Sequence, residues 1–175
     1  MSKMRMIRIL LLAVLFSSCL NSGKQEKPSD ELSRFIEKEI IALSEKQATV
    51  SKNVVLNDEQ ENKSYAPEWA SELKFLEGYV NEFRKNGELI GSVKSTNGDT
   101  MVVSYQKQGG ELLQVDYLNN EIVQLTIDIN QSSLFGSRIL DLRYVTNSRY
   151  RLVEKTSLRW LVDNRLEITA SFELQ

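Results

Sequence analysis

Apolar and polar residues alternate along much of the second half of the chain. Leu125, Ile127 and Ile129 alternate with Gln124, Thr126 and Asp128. Leu166, Ile168, Ala170, Phe172 and Leu174 alternate with Glu167, Thr169, Ser171 and Glu173. A period of two gives a strand with one dry face and one wet face. Such runs predict strands at 88–96, 100–106, 111–117, 121–129, 137–144, 149–156 and 165–174. Asn97-Gly98, Gly109-Gly110 and Asn119-Asn120 supply turns between them. Consecutive strands joined by short turns predict an antiparallel meander. A parallel sheet would need helices between the strands, and this half of the sequence has none.

The first half has a helical period. Leu32, Phe35, Ile36, Ile40 and Leu43 make one apolar stripe opposite Arg34, Glu37, Lys38, Glu45 and Lys46. Ser29 or Asp30 can cap the start of this helix, which is expected to end near Gln47. Val54-Val55-Leu56 is a short apolar run, read as either one strand or a segment laid across the core, and 57–64 (NDEQENKS) reads as a solvated loop. A second helix is expected with Pro67 in its first turn. Trp69, Leu73 and Leu76 form its apolar face, Phe75 and Tyr79 widen that face, and Gly78 helps to end it. The expected fold class is therefore α+β, with two N-terminal helices packed on a curved antiparallel meander of about seven strands. In element order this plan resembles the half-barrel of periplasmic lipoprotein carriers and outer-membrane lipoprotein receptors. That resemblance implies a greasy cavity between helices and sheet.

The N-terminus is patterned as an address. Lys3, Arg5 and Arg8 precede eight consecutive apolar residues, Ile9 to Phe16, followed by Ser17, Ser18 and Cys19. A basic flank, a short apolar run and small residues before a cleavage point make a secretory signal peptide. Eight apolar residues fall well short of the ~20 needed to span a bilayer. Phe16-Ser17-Ser18-Cys19 resembles the lipobox of bacterial lipoproteins, and the layout resembles the small envelope lipoproteins of the Bacteroidota. The resemblance implies removal of residues 1–18 and lipid attachment at Cys19. Leu20 in place of the aspartate that retains such proteins in the inner membrane implies the outer membrane. Residues 19–29 read as anchor and polar tether, and residues 30–175 as one domain.

Composition narrows the chemistry. The 175-residue chain has no histidine and one cysteine. No imidazole base, histidine-ligated metal or intrachain disulfide is available. Loss of residues 1–18 leaves a net charge of −5, which argues against nucleic-acid binding. No nucleophile elbow or phosphate loop is present, so no enzyme, cofactor or metal is expected. Asp116 and Asp128, on neighbouring predicted strands, form a nominal acid–base pair, but each is expected to point to water. Trp69, Phe75 and Tyr79 are candidates for an apolar pocket, with hydrophobic core as the simpler reading.

The arginines are unevenly placed. Arg138, Arg143, Arg149, Arg151, Arg159 and Arg165 fall within 28 residues. A hairpin loop at Thr146-Asn147-Ser148 would set Tyr144 and Tyr150 on one face and Arg143 opposite Arg151 on the other. Like charges directly opposite are unfavourable. Either Asp141 and Glu167 compensate, or Arg143, Arg149 and Arg151 form a patch for an anionic partner. The expected function is a lipid-anchored, non-enzymatic binding or interaction module of the cell envelope. It would touch the membrane through its N-terminal lipid and contact an envelope protein. The alternative is a carrier or receptor for a lipid or other apolar ligand.

Overall fold

The computed structural model describes residues 28–85, 89–160 and 163–174. Helices are α1 (Pro28–Glu45), α2 (Trp69–Glu72) and α3 (Lys74–Lys85). Strands are β1 (Thr49–Leu56), β2 (Glu59–Tyr65), β3 (Leu89–Asn97), β4 (Thr100–Lys107), β5 (Leu112–Leu118), β6 (Glu121–Ser133), β7 (Gly136–Val145), β8 (Arg149–Leu158) and β9 (Asn164–Glu173). All nine pair antiparallel in one sheet of order β2-β1-β9-β8-β7-β6-β5-β4-β3.

This corrects the expected α+β plan of two N-terminal helices on seven strands. The sheet has nine strands, the described residues contain three helices, and α2 and α3 lie between β2 and β3 rather than before the sheet. The two added strands come from the segment read as a short apolar run and a solvated loop. Their pattern is hidden because β2 is an edge strand whose residues are exposed on both faces up to Tyr65. Alternation needs a dry face, and an edge strand beyond the helices has none. In β1, Lys52 takes a place on the face of Val50 where an apolar residue would have marked the strand. Asn57, at φ 55°, makes the turn between β1 and β2.

The helical block after β2 is also corrected. Glu68 caps α2, its carboxylate accepting from the backbone N–H groups of Ala70 and Ser71. The path breaks at Leu73 and resumes as α3, which runs through Gly78 to Lys85. Helix α1 begins at Pro28, and Gln47 at φ 48° turns the chain into β1.

One sheet face is the core. Val50, Phe172, Tyr150, Leu152, Leu142, Tyr144, Leu125, Ile127, Val115, Leu113 and Val103 are buried with Leu32, Phe35, Ile36 and Leu43 of α1. Trp69, Leu73, Leu76, Val80 and Phe83 join the same cluster. Carboxylates tie the two layers together. Glu31 accepts from Tyr117 Oη at 3.0 Å, and buried Glu39 from Tyr144 Oη at 2.7 Å and the Asn147 N–H at 2.9 Å. Arg138 donates to Glu82 of α3 at 2.5 Å and to Glu154 of β8 at 2.7 Å. Buried charge needs such partners, because an unpaired carboxylate in the core is strongly unfavourable.

Candidate functional site

Because side chains alternate along each strand, burying one face leaves the other to solvent. Cross-strand register aligns this outer face into rows. One row runs Val93, Ser104, Gln114, Thr126, Arg143, Arg151, Thr169, Asn53 and Asn62 across all nine strands. The next carries Asp116, Gln124, Val145, Arg149, Ser171, Ser51 and Ser64. An open trough of about 470 Å³ crosses the β2-β1-β9-β8 side, lined by Ser51, Asn53, Asn62, Ser64, Arg149, Thr169 and Ser171, with Lys52, Lys63 and Ala170. Within it Ser51 and Ser64 hydroxyls lie 2.8 Å apart, and Asn53 Nδ2 donates to Asn62 Oδ1 at 2.5 Å.

The arginine hairpin has the register expected for a loop at 146–148. Tyr144 pairs with Tyr150 on the core face, and Arg143 with Arg151 on the outer face. Acids surround two of the three arginines. Arg151 contacts Asp141 at 3.5 Å and Glu167 at 3.1 Å. Glu167 also holds Arg165 at 2.9 Å, and hydrogen bonds from the two guanidinium groups lower its pKa. Arg143 faces Asp128, whose pKa is raised by burial and by repulsion from Asp141, with Arg143 opposing. Arg149 is exposed at the rim of the trough and has no ion pair among the described residues.

The other candidate residues lie elsewhere. Trp69 stacks edge-on against Phe172 at 4.9 Å, and Phe75 lies 4.7 Å from Tyr150. Tyr79 Oη donates to Glu154 at 3.2 Å, and its pKa is pushed up to about 12 by burial and that carboxylate. All three sit at the helix–sheet interface. Asp116 is held by Gln114 and Gln124 at 2.9 and 3.2 Å, and the Gln114–Thr126 row separates it from Asp128. The two carboxylates do not converge. Cys19 and the expected signal peptide lie outside the described residues.

Two polar clusters escaped the sequence reading. Glu72 accepts from Tyr150 Oη at 2.5 Å and Tyr65 Oη at 2.7 Å, with Lys52 Nζ also at 2.7 Å. Burial works against its ionisation, but the hydrogen bonds win and hold its carboxyl below the ordinary value. At the β4–β5 turn, Lys107 and Glu111 are buried together, with Lys107 Nζ 4.4 Å from the Phe83 ring centroid. Burial lowers the Lys107 pKa, with Glu111 opposing. Each cluster joins a helix to the sheet, Glu72 to three strands and Phe83 to the Lys107–Glu111 turn, which alternation alone does not bring together. Among the described residues no three His, Cys, Asp or Glu side chains form a metal set, and no helix is long and apolar enough to cross a membrane. Comparison of the chain with protein-family models, curated proteins and solved structures finds no match.

Proposed function

We propose that this chain is a lipid-anchored, non-enzymatic binding module of the bacterial cell envelope, held at the outer membrane through Cys19. It presents the outer face of its sheet to an envelope partner. One observation carries the binding reading: the outer face sets rows of hydroxyl, carboxamide and guanidinium groups around an open trough, with Arg149 unpaired at its rim among the described residues. The hydrophobic core lies on the opposite face. Exposed pairs such as Arg151–Asp141 contribute at most about 1 kcal/mol. Directional donors and acceptors at fixed sheet spacing suit a polar, partly anionic surface, and arginine can bind carboxylate or phosphate in two-pronged fashion. The anchor rests on the lipobox resemblance. The carrier reading has less support, because Trp69, Phe75 and Tyr79 are engaged with Phe172, Tyr150 and Glu154.

Pull-down from detergent-solubilised envelopes tests the binding reading. Wild type should recover a discrete partner, and Arg149→Glu with Thr169→Glu should lose it while melting like wild type. Recovery of the protein alone in every mild detergent contradicts the reading. Separately, Cys19→Ser should abolish lipid labelling and membrane association. If wild type takes up no labelled palmitate and Cys19→Ser still fractionates with membranes, the anchor is wrong.

A further inference from the structure

Turns at most strand ends are built from Asn, Gly and Asp. Gly98, Gly109, Gly110, Asn57, Asn119, Asn120 and Asn147 all adopt positive φ. Two neighbouring turns at one end of the sheet differ. The β6–β7 turn carries Leu134 and Phe135, 79% and 78% exposed, and the segment after β8 carries Trp160, 91% exposed. Neither Leu134 nor Phe135 has the positive φ that would call for a particular turn residue. The two tips are fastened together. Arg159 donates its backbone N–H to the Phe135 carbonyl at 3.0 Å and Nη1 to the Leu134 carbonyl at 3.2 Å, and Gly136 pairs with Leu158. The result is a protruding apolar end, with Leu158 and Ile139 partly exposed behind it.

Directly behind the tips, on the outer face, is a hollow of about 230 Å³. Ser137, Ile139, Lys155, Thr156, Ser157, Asp163, Asn164 and Arg165 line it. Lys155 and Arg165 sit directly opposite each other on β8 and β9. Two cations so placed repel unless an anion lies between them. Glu167 answers Arg165, whereas exposed Lys155 has no ion pair among the described residues, and neither has Arg159. Asp163 is the acid that lines the hollow.

We propose that this end of the sheet docks on an anionic phospholipid bilayer, with Leu134, Phe135 and Trp160 entering the interface and a headgroup phosphate seated between Lys155 and Arg165. The shape favours lipid over a protein groove, because the apolar side chains protrude from two tips and the cationic hollow lies immediately behind them. Tryptophan and phenylalanine suit the boundary between headgroups and acyl chains, and attachment scales with buried apolar area plus attraction of basic groups to anionic lipid. This contact is distinct from the Cys19 anchor and from the trough.

Trp160 provides the readout, since the only other tryptophan, Trp69, is buried. The full-length protein is mixed with phosphatidylglycerol-containing vesicles, with or without brominated acyl chains. Trp160 emission should shift to the blue and be quenched by bromine. Leu134→Ser with Phe135→Ser should remove the quenching, and Trp160→Phe should leave an emission that does not respond. Lys155→Gln should weaken association with anionic vesicles about fivefold, the weight of one basic group at such a surface. If Trp160 stays unquenched while the protein is on the vesicles, the N-terminus alone holds it and the proposal is overturned. Equal quenching with neutral and anionic vesicles, unchanged by Lys155→Gln, overturns the headgroup site. Trp160 unresponsive to lipid but cross-linked to an envelope protein makes the tip a protein contact instead.

Discussion

At the scale of single residues, core positions were the easiest to recognise. Trp69 and Phe172 were assigned to apolar faces by periodicity, and they meet at 4.9 Å with little exposure. Trp69→Ala or Phe172→Ala should each cost about 3–5 kcal/mol in a denaturant melt, the range for emptying a buried aromatic site. Losses below ~1 kcal/mol at both would place the core elsewhere. Glu72 was not legible, because its partners Lys52, Tyr65 and Tyr150 lie on three different strands. Its depressed pKa makes a pH prediction. A carboxyl whose folded pKa lies below its unfolded value near 4.5 contributes stability at higher pH and loses it as pH falls through the folded value. Wild-type stability should therefore drop on acidification below about 4.5, and Glu72→Gln should show a shallower acid limb in melts across that window. An identical limb in both proteins would mean that Glu72 is not held ionised by its three donors.

At the scale of elements, the alternating segments were legible and the edge was not. The strands expected at 100–106, 121–129, 137–144 and 149–156 lie within β4, β6, β7 and β8, because helices dry one face of each. The β1–β2 hairpin was missed because β2 has little apolar surface to signal a strand, so its pairing with β1 rests on backbone hydrogen bonds and polar rungs such as Asn53–Asn62. The apolar tips were missed for a related reason. Leu134, Phe135 and Trp160 fall in the gaps between strands, where the useful signal was a large apolar residue with no alternating partner. Gly136 is the element-scale test of the joined tips. A Cβ there would lie 2.1 Å from the Ser157 carbonyl oxygen, so β8 must move to admit it. Gly136→Ala should destabilise by about 1–3 kcal/mol, the cost of overpacking. It should also raise amide exchange at Leu158 and Arg159 ahead of the β7–β8 turn. Unchanged stability and exchange would show that the β7–β8 pairing ends before Gly136.

At the scale of the whole molecule, one sheet face is sealed by helices and the other is left as a polar lattice. The seal rests partly on tyrosines. Tyr65, Tyr79, Tyr105, Tyr117, Tyr144 and Tyr150, all six in the chain, have raised pKa values, chiefly from burial. A phenol raised on folding contributes stability below its unfolded pKa near 10 and loses it as pH rises through the folded value. Phenolate absorbance should therefore appear together with loss of the sheet's circular dichroism above about pH 10. A full phenolate signal near pH 10 with the fold intact would contradict the buried tyrosine layer. The central claim is that the helix-free face is the working surface. It is tested most directly by photo-cross-linking in intact cells, with the probe placed in turn at Thr169 and Ser171 of the outer face and at the exposed Lys74 and Glu77 of α3. The account predicts a discrete adduct from the two outer-face sites and none from the helix. Adducts only from α3, or none from the outer face of a stably folded protein, would contradict it.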